Sequence, residues 1–339
     1  MGIGGIDPLK KTIYIFNDGE LRRKDNTLYF ETDGGTKKYI PVEDVSEIIV
    51  FGEVSLNKKF LEFATRKEII LHFLNHHGYY IGSFYPREHF NSGYMILKQT
   101  EHYLDEDKRL DIAMRFVVGA ARNIEQVLRY YLNRGKDVGD ALGRVSALTE
   151  TVENCCSVSE LMGIEGNIKE AYYSAFNQII GNKDFQFVGR SKRPPQDPLN
   201  ALISYGNTLA YIQVLSEIYK THLDPRIGFL HSTNFRSFSL NLDIAEIFKP
   251  ILVDRLIFTL IGKNMLRKPH FEKRVNGILM NEKGRQIFTE EWDNRLRTTI
   301  MHRGLGREVS YRRLIRMELY KLEKHLMGEK AYEPFVSRW

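Results

Sequence analysis

The chain has 339 residues, 42% of them apolar and 27% charged, the make-up of a soluble globular protein with room for two domains. Lysine and arginine outnumber aspartate and glutamate by 49 to 43, a formal net charge of +6 that favours a polyanionic partner. The only cysteines, Cys155 and Cys156, are adjacent, which excludes a disulfide framework and lacks the ligand spacing of a zinc site. The longest apolar stretches, 251–253 and 256–261, are separated by Asp254 and Arg255, so no membrane span is expected. The N-terminus shows no signal-peptide pattern, and reduced thiols in the cytoplasm are the expectation.

Residues 11–86 read as β structure. Strands are expected at 12–16, 27–31, 38–42, 47–51, 69–74 and 79–84, with a short helix over 56–67. Asp33-Gly34-Gly35 is a hairpin signal, and His76-His77-Gly78 reads as hairpin-turn chemistry rather than a metal pair. Strands this short and closely spaced predict a small β domain over 1–86, of two packed sheets. Residues 87–105 carry Pro86-Arg-Glu just at their start, then Asn91-Ser-Gly93 and scattered charge, and read as a linker.

Beyond the linker the apolar period changes to that of a helix. Leu110, Ile112, Ala113, Phe116, Val117, Ala120, Ala121, Ile124, Val127, Leu128 and Tyr131 mark one long amphipathic helix, and most segments to 326 continue helical. The fold class is therefore α+β: a small N-terminal β domain, then a larger, mostly α-helical domain over 106–339. Ser157 and Glu160 fit a capping box that opens a helix over 161–176. Inside it Gly163 and Gly166 flank Glu165, at a cost of roughly 1 kcal/mol each relative to alanine. Either something approaches the backbone beside Glu165, or another helix packs closely there.

The stretch 228–250 places His231 after a short apolar run, then Asp243 and Glu246 three residues apart on one helix face. An imidazole and carboxylates that converge suit Mg2+ or Mn2+, or zinc with fewer ligands; the alternative is a solvated acidic face. Basic residues gather in three places. Arg190, Lys192 and Arg193 lie on a proline-stiffened connector, where Asp197 or Asn200 is placed to cap the next helix. Arg267, Lys268, Lys273, Arg274, Lys283 and Arg285 lie on turn-rich excursions. Arg312 and Arg316 stand one turn apart on a C-terminal helix, again with a solvated face as the alternative. Of these, Arg190, Lys192, Arg193, Arg274, Arg285 and Arg312 are the candidate contacts to DNA phosphates.

Taken together, Glu165, Arg193-Pro-Pro-Gln-Asp197-Pro-Leu-Asn200, Gly228-Phe-Leu-His231 and Asp243-Ile-Ala-Glu246 resemble the CRISPR-associated integrase/endonuclease of the adaptation module. Further similar segments include Ile49-Val-Phe-Gly-Glu-Val-Ser-Leu, Val309-Ser-Tyr-Arg-Arg-Leu and Tyr332-Glu-Pro-Phe, so the resemblance spans nearly the whole chain. It implies a β domain that mediates homodimerisation and an α domain that holds one divalent metal, Mg2+ or Mn2+. The metal ligands it implies are Glu165, His231 and Glu246, with Asp243 beside them among the catalytic residues. The family's last acid is usually aspartate, so the choice between Glu246 and Asp243 stays open here. The implied activity is DNA endonuclease and spacer integration, with double-stranded and branched DNA and a small ferredoxin-like adaptation protein as partners. A catalytically inactive DNA-binding scaffold of the same fold is the competing reading.

Overall fold

A computed structural model describes residues 10–75, 77–86, 90, 92–191, 194–233, 238–275 and 277–338. The chain forms two compact units, residues 1–89 and 90–339.

In the first unit the strands are β1 (Lys11–Ile15), β2 (Gly19–Lys24), β3 (Thr27–Thr32), β4 (Lys37–Ile40), β5 (Val45–Val50) and β6 (Val54–Leu56). Helix α1 (Lys58–Arg66) follows, then β7 (Ile70–Leu74) and β8 (Tyr80–Phe84). They make two four-stranded sheets, ordered β1-β5-β7-β8 and β4-β3-β2-β6. Leu21, Leu28 and Phe30 of one sheet share a core with Ile15, Ile48 and Leu71 of the other and with Phe60 and Phe63 of α1. Two strands escape the sequence pattern for a physical reason. In β2 (Gly-Glu-Leu-Arg-Arg-Lys) only Leu21 is fully buried, and β6 has three residues, so neither alternates long enough to register. Thr12, Glu47 and His72 form a buried polar group edged by half-buried Ser83, with Thr12 Oγ1 donating to Glu47 Oε1 at 2.6 Å and His72 Nδ1 2.7 Å from Ser83 Oγ.

The second unit starts with α2 (Gly93–Leu104), α3 (Glu106–Leu132), α4 (Gly139–Thr151) and α5 (Val158–Ser174). Next come α6 (Phe176–Ile180), α7 (Pro198–Ile218), α8 (Ser239–Lys249) and, after a π-turn at Pro250–Asp254, α9 (Arg255–Gly262). Two small hairpins, β9 (Phe271–Arg274) with β10 (Gly277–Met280) and β11 (Thr299–His302) with β12 (Arg307–Ser310), flank α10 (Glu282–Arg297). The last helix is α11 (Tyr311–Leu326). The expected linker is corrected by α2. Its inward stripe is Met95, Gln99 and His102, two of them polar, so no apolar period shows in the sequence. Gln99 nevertheless ties α2 down, donating to the carbonyls of Asp224 and Ile227 at 3.1 Å each and accepting from Asp224 N at 2.7 Å.

Helix α7 is buried nearly all round and forms the axis of this unit. Asp197 caps it by accepting from Asn200 N at 2.7 Å, so of the two candidate caps the structure selects Asp197. Asn200 instead accepts from Arg190 Nη1 and donates to Gly189 O. Near the other end of α7, buried Glu217 pairs with Arg316 Nε at 2.6 Å and Lys220 Nζ at 2.8 Å. Burial works against its charge, but these cations override it and hold the carboxyl at about 2. Such a group adds stability above the ordinary glutamate value of 4.5 and loses it as pH falls toward about 2. Glu217→Gln is therefore expected to lower stability at pH 7 by about 3 kcal/mol. The gap to wild type in denaturant melts should close between pH 4.5 and about 2; a pH-independent gap would contradict this.

Candidate active site

Helix α5 starts at Ser157, whose hydroxyl accepts from Glu160 N at 3.2 Å. Glu160 reaches back, as a capping box requires, but to Cys156 N (2.9 Å) rather than to Ser157 N. This cap sets Glu165 two turns into α5. Helix α8 carries Asp243 and Glu246 and ends at a proline. Pro250 has no N–H, and its ring crowds the carbonyl four residues back, that of Glu246; the π-turn over Pro250–Asp254 relieves the clash. Asn123 Nδ2 of α3 donates to the carbonyl of the next residue, Ile247, at 2.9 Å.

The two acids of α8 have different surroundings. Asp243 is fully buried and its carboxylate is saturated by four contacts. Oδ2 accepts from the backbone N–H of Phe229 (2.6 Å) and Leu230 (3.1 Å), and Oδ1 from His231 N (3.0 Å) and faces His231 Nδ1 at 2.7 Å. It therefore shapes the 228–231 loop and orients the imidazole, leaving Nε2 as the ring nitrogen turned away from the carboxylate. Gly228 is required for this fit, since a Cβ there would lie 2.7 Å from Asp243 Oδ2. Burial lowers the His231 pKa, but the Asp243 hydrogen bond and charge outweigh it and the net shift is upward.

Glu246 points the other way, to two lysines. Its Oε2 is 3.0 Å from Lys169 Nζ and its Oε1 2.5 Å from Lys249 Nζ. The Lys169 ammonium also lies against Glu165 Oε1. Burial alone would raise the Glu246 carboxyl, and the two ammonium groups more than offset it, holding the group well below the usual carboxylate range. A cavity of about 30 Å³, enough for a water or two, opens beside these groups against Tyr172, Asn207 and Asp254. Asp254 has no ion pair among the described residues, and burial pushes its carboxyl up to about 7, with Lys249 partly opposing.

The four expected residues are thus brought together as two pairs, Glu165 with Glu246 across Lys169, and His231 with Asp243. Among the described residues, no three His, Cys, Asp or Glu side chains enclose a ready-made ion site. The donor set still fits a hard divalent cation: two carboxylates from different helices already converge on one positive charge, with an imidazole within electrostatic reach of Glu246. Lys169 and Lys249 were missed by sequence reasoning, although each stands one turn after an acid, at i+4 and i+3. That spacing is the signal available, and it is shared by ordinary surface pairs.

The basic candidates divide. Arg274, beside Lys273, is exposed on the β9–β10 hairpin, whose tip carries the fully exposed Val275; Arg267, Lys268 and Lys283 are exposed nearby in the chain. Gly277 of this hairpin sits so close to Pro195 that a Cβ would meet its carbonyl at 2.5 Å, which docks the hairpin on the proline-stiffened connector. Lys192 and Arg193 lie outside the described residues, as does His76. Arg190 is turned inward, its guanidinium donating to Ser191 O, to Asn200 Oδ1 (2.7 Å) and to Ser204 Oγ (3.2 Å). Arg285 is half-buried on α10. Arg312, expected on an exposed face, is buried and paired with Asp293 at 3.3 Å, a correction that removes it from the surface facing a ligand.

The fold and these buried acids define a two-unit α+β protein with a carboxylate–imidazole centre in its helical unit. Residues 13–294 match the family model for CRISPR associated protein Cas1. The CRISPR-associated endonuclease Cas1 2 of Thermodesulfovibrio yellowstonii is 59% identical over 98% of this chain and 100% of its own. The CRISPR-associated endonuclease Cas1 of Thermotoga maritima is 49% identical over 95% and 98%. The solved structure of a Cas1 protein from Thermotoga maritima superposes with a TM-score of 0.87, at 46% identity over 96% of this chain and all of that one. The chain belongs to the Cas1 family of CRISPR-associated proteins.

The two glycines beside Glu165 resolve one of the alternatives. A Cβ at Gly163 or at Gly166 would meet nothing within 4 Å, so close packing of another helix is not what they serve. Gly163→Ala and Gly166→Ala are expected to stabilise the fold by roughly 0.5–1 kcal/mol each. Chemical denaturation checks this, and destabilisation by either would show that the helix face is not open.

Proposed function

We propose that the protein is a divalent-metal-dependent DNA endonuclease and integrase that inserts short DNA fragments into a CRISPR array. The observation that carries this reading is the convergence of Glu165 and Glu246, from two helices, on a single half-buried positive charge, the Lys169 ammonium. The endonuclease names of relatives aligned over nearly the full chain support it. One Mg2+ or Mn2+ ion held by Glu165, His231 and Glu246 supplies, when bound, neutralisation of charge on the attacked phosphate and a lowered pKa for the attacking oxygen.

The chain's own groups do the rest. Asp243 accepts at His231 Nδ1, which fixes the ring and leaves Nε2 with its lone pair, the arrangement a metal-ligating histidine uses. Geometry thus favours Glu246 over Asp243 as the third ligand, since all of Asp243's contacts are to the 229–231 segment. In the reaction an oxygen forms a new bond to phosphorus as the bond to the leaving strand breaks. Water as the nucleophile leaves a cut, and a DNA 3′-hydroxyl leaves a joined strand. The number of phosphodiesters is unchanged in the second case, so strand transfer needs no energy-rich co-substrate.

The exposed cations of the β9–β10 hairpin suit a duplex or branched DNA, held through phosphates. The open face at Gly163 and Gly166 gives a DNA strand room to reach Glu165. A homodimer formed through the β unit and a small ferredoxin-like partner complete the reading; a chain of the same fold belongs to a solved Cas6-RT-Cas1–Cas2 complex. No helix among the described residues is long and apolar enough to cross a membrane, and a cytoplasmic location fits a DNA substrate.

His231→Ala is expected to abolish metal-dependent cleavage and strand transfer while the protein still folds and binds DNA; retained transfer on a branched target would sink the assignment. Gly163→Ala with Gly166→Ala should reduce strand transfer despite the gain in stability, and unchanged activity would remove the strand from that face. Replacing Lys273 and Arg274 with Ala should flatten the slope of log K against log salt by about 1 per lost phosphate contact, which DNA titrations at several ionic strengths read directly.

A further inference from the structure

Lys169 follows Glu165 by four residues and so lies one turn along on the same face of α5. Its ammonium rests against Glu165 Oε1 and 3.0 Å from Glu246 Oε2, so one positive charge joins carboxylates from α5 and α8. Lys249 makes a different contact, to Glu246 Oε1, with its ammonium 4.8 Å from the centre of the Tyr211 ring. The two cations differ in freedom: the Lys169 side chain is 32% exposed, and that of Lys249 is 11%. Lys249 is enclosed between an acid and an aromatic face, while Lys169 has a path to water on a flexible four-carbon stem.

Two carboxylates held together at a mostly buried point repel unless a cation lies between them. Resting on the reading of Glu165 and Glu246 as metal ligands, we propose that Lys169 is the resident counter-ion of the metal-free protein. It keeps the two acids converged and swings out to solvent when the divalent ion takes its place, while Lys249 stays. Metal binding is then a displacement, not the filling of an open cage, in keeping with the absence of a ready-made three-residue site among the described residues. Lys169 is a positioning residue, acting through Glu165 and Glu246. Its charge maintains the ligand geometry when metal is scarce, at the expense of metal affinity.

The test is a Mn2+ titration of the full chain, read by electron paramagnetic resonance, together with thermal melts with and without Mn2+. Lys169→Met is expected to bind Mn2+ about fivefold tighter than wild type. Its melting temperature should be lower without metal and rise further when Mn2+ is added. Lys169→Arg, which keeps the charge, should bind no tighter than wild type. Equal affinity of Lys169→Met and wild type overturns the proposal, as does loss of Mn2+ binding by a folded Lys169→Met. If neither protein binds Mn2+, the ligand reading of Glu165 and Glu246 fails and this proposal with it, a result distinct from equal, measurable affinities. A measurement on wild type alone guards against a variant that does not fold. Labelling by an amine-acylating reagent, read by mass spectrometry, should rise at Lys169 but not at Lys249 on adding Mn2+; unchanged labelling at Lys169 overturns the proposal.

Discussion

The helical unit depends on how it keeps charge away from water. A carboxylate taken out of solvent costs several kcal/mol unless cations or N–H donors replace the lost hydration. The buried acids here meet that requirement to different degrees. Glu217 takes Arg316 and Lys220. Glu318 takes the Tyr332 hydroxyl, the Phe335 amide and Lys321. Asp243 takes three backbone amides and an imidazole. Glu246 takes two lysines. Asp254 has no ion pair among the described residues, only the more distant Lys249 and Arg190 charges oppose its burial, and its carboxyl is pushed up to about 7. The same physics that stabilises Glu217 in a purely structural place gives Glu246 a charged pocket where chemistry is proposed. What separates them is access: Arg316 and Lys220 close around Glu217, while one of Glu246's partners remains a third exposed.

Backbone geometry supports this arrangement. Pro250 forces the helical ladder to change register just past Glu246, and the next carbonyl, that of Ile247, accepts from Asn123, itself fully buried. Asn123 also donates to Phe335 O and accepts from Ser337 N, and the Phe335 ring stacks on Phe248 with centroids 5.6 Å apart. One side chain on α3 thus connects the acid-bearing helix to the segment after α11. A buried amide with all its partners is a rigid joint, which suits a residue beside a site that must hold its shape.

Much of this was legible in the sequence. The change of apolar period near residue 106 separated β from α structure, because periods of two and of 3.6 report different burial geometries. Glu165, His231 and Glu246 could be singled out by residue type, but their convergence is a long-range fact that no local pattern carries. Asp243 and Glu246 looked equivalent at three-residue spacing; only the fold shows one facing a loop and the other facing lysines. The misreadings share a cause. Arg190 and Arg312 were placed outward because they are arginines, yet Arg312 lies on the same stripe as Ile315, Leu319 and Leu322. Helix α2 was missed for the converse reason, since its inward stripe contains Gln99 and His102. Periodicity identifies a face; it does not say whether a polar residue on that face has found a buried partner.

The Asn123 joint also bears on when the site forms during synthesis. Helix α8 obtains its contact to Phe335, and Asn123 its bonds to Phe335 and Ser337, only after those residues have left the ribosome, some ninety positions after Glu246 was made. Domains with such late closing contacts cannot complete folding piecemeal from the N-terminus. The β unit has its own core and no such requirement, so it can form while the rest of the chain is still being translated. A nascent chain therefore exposes a folded β unit well before the acid-bearing helix is locked, and an unfinished chain lacks the contacts that fix that helix.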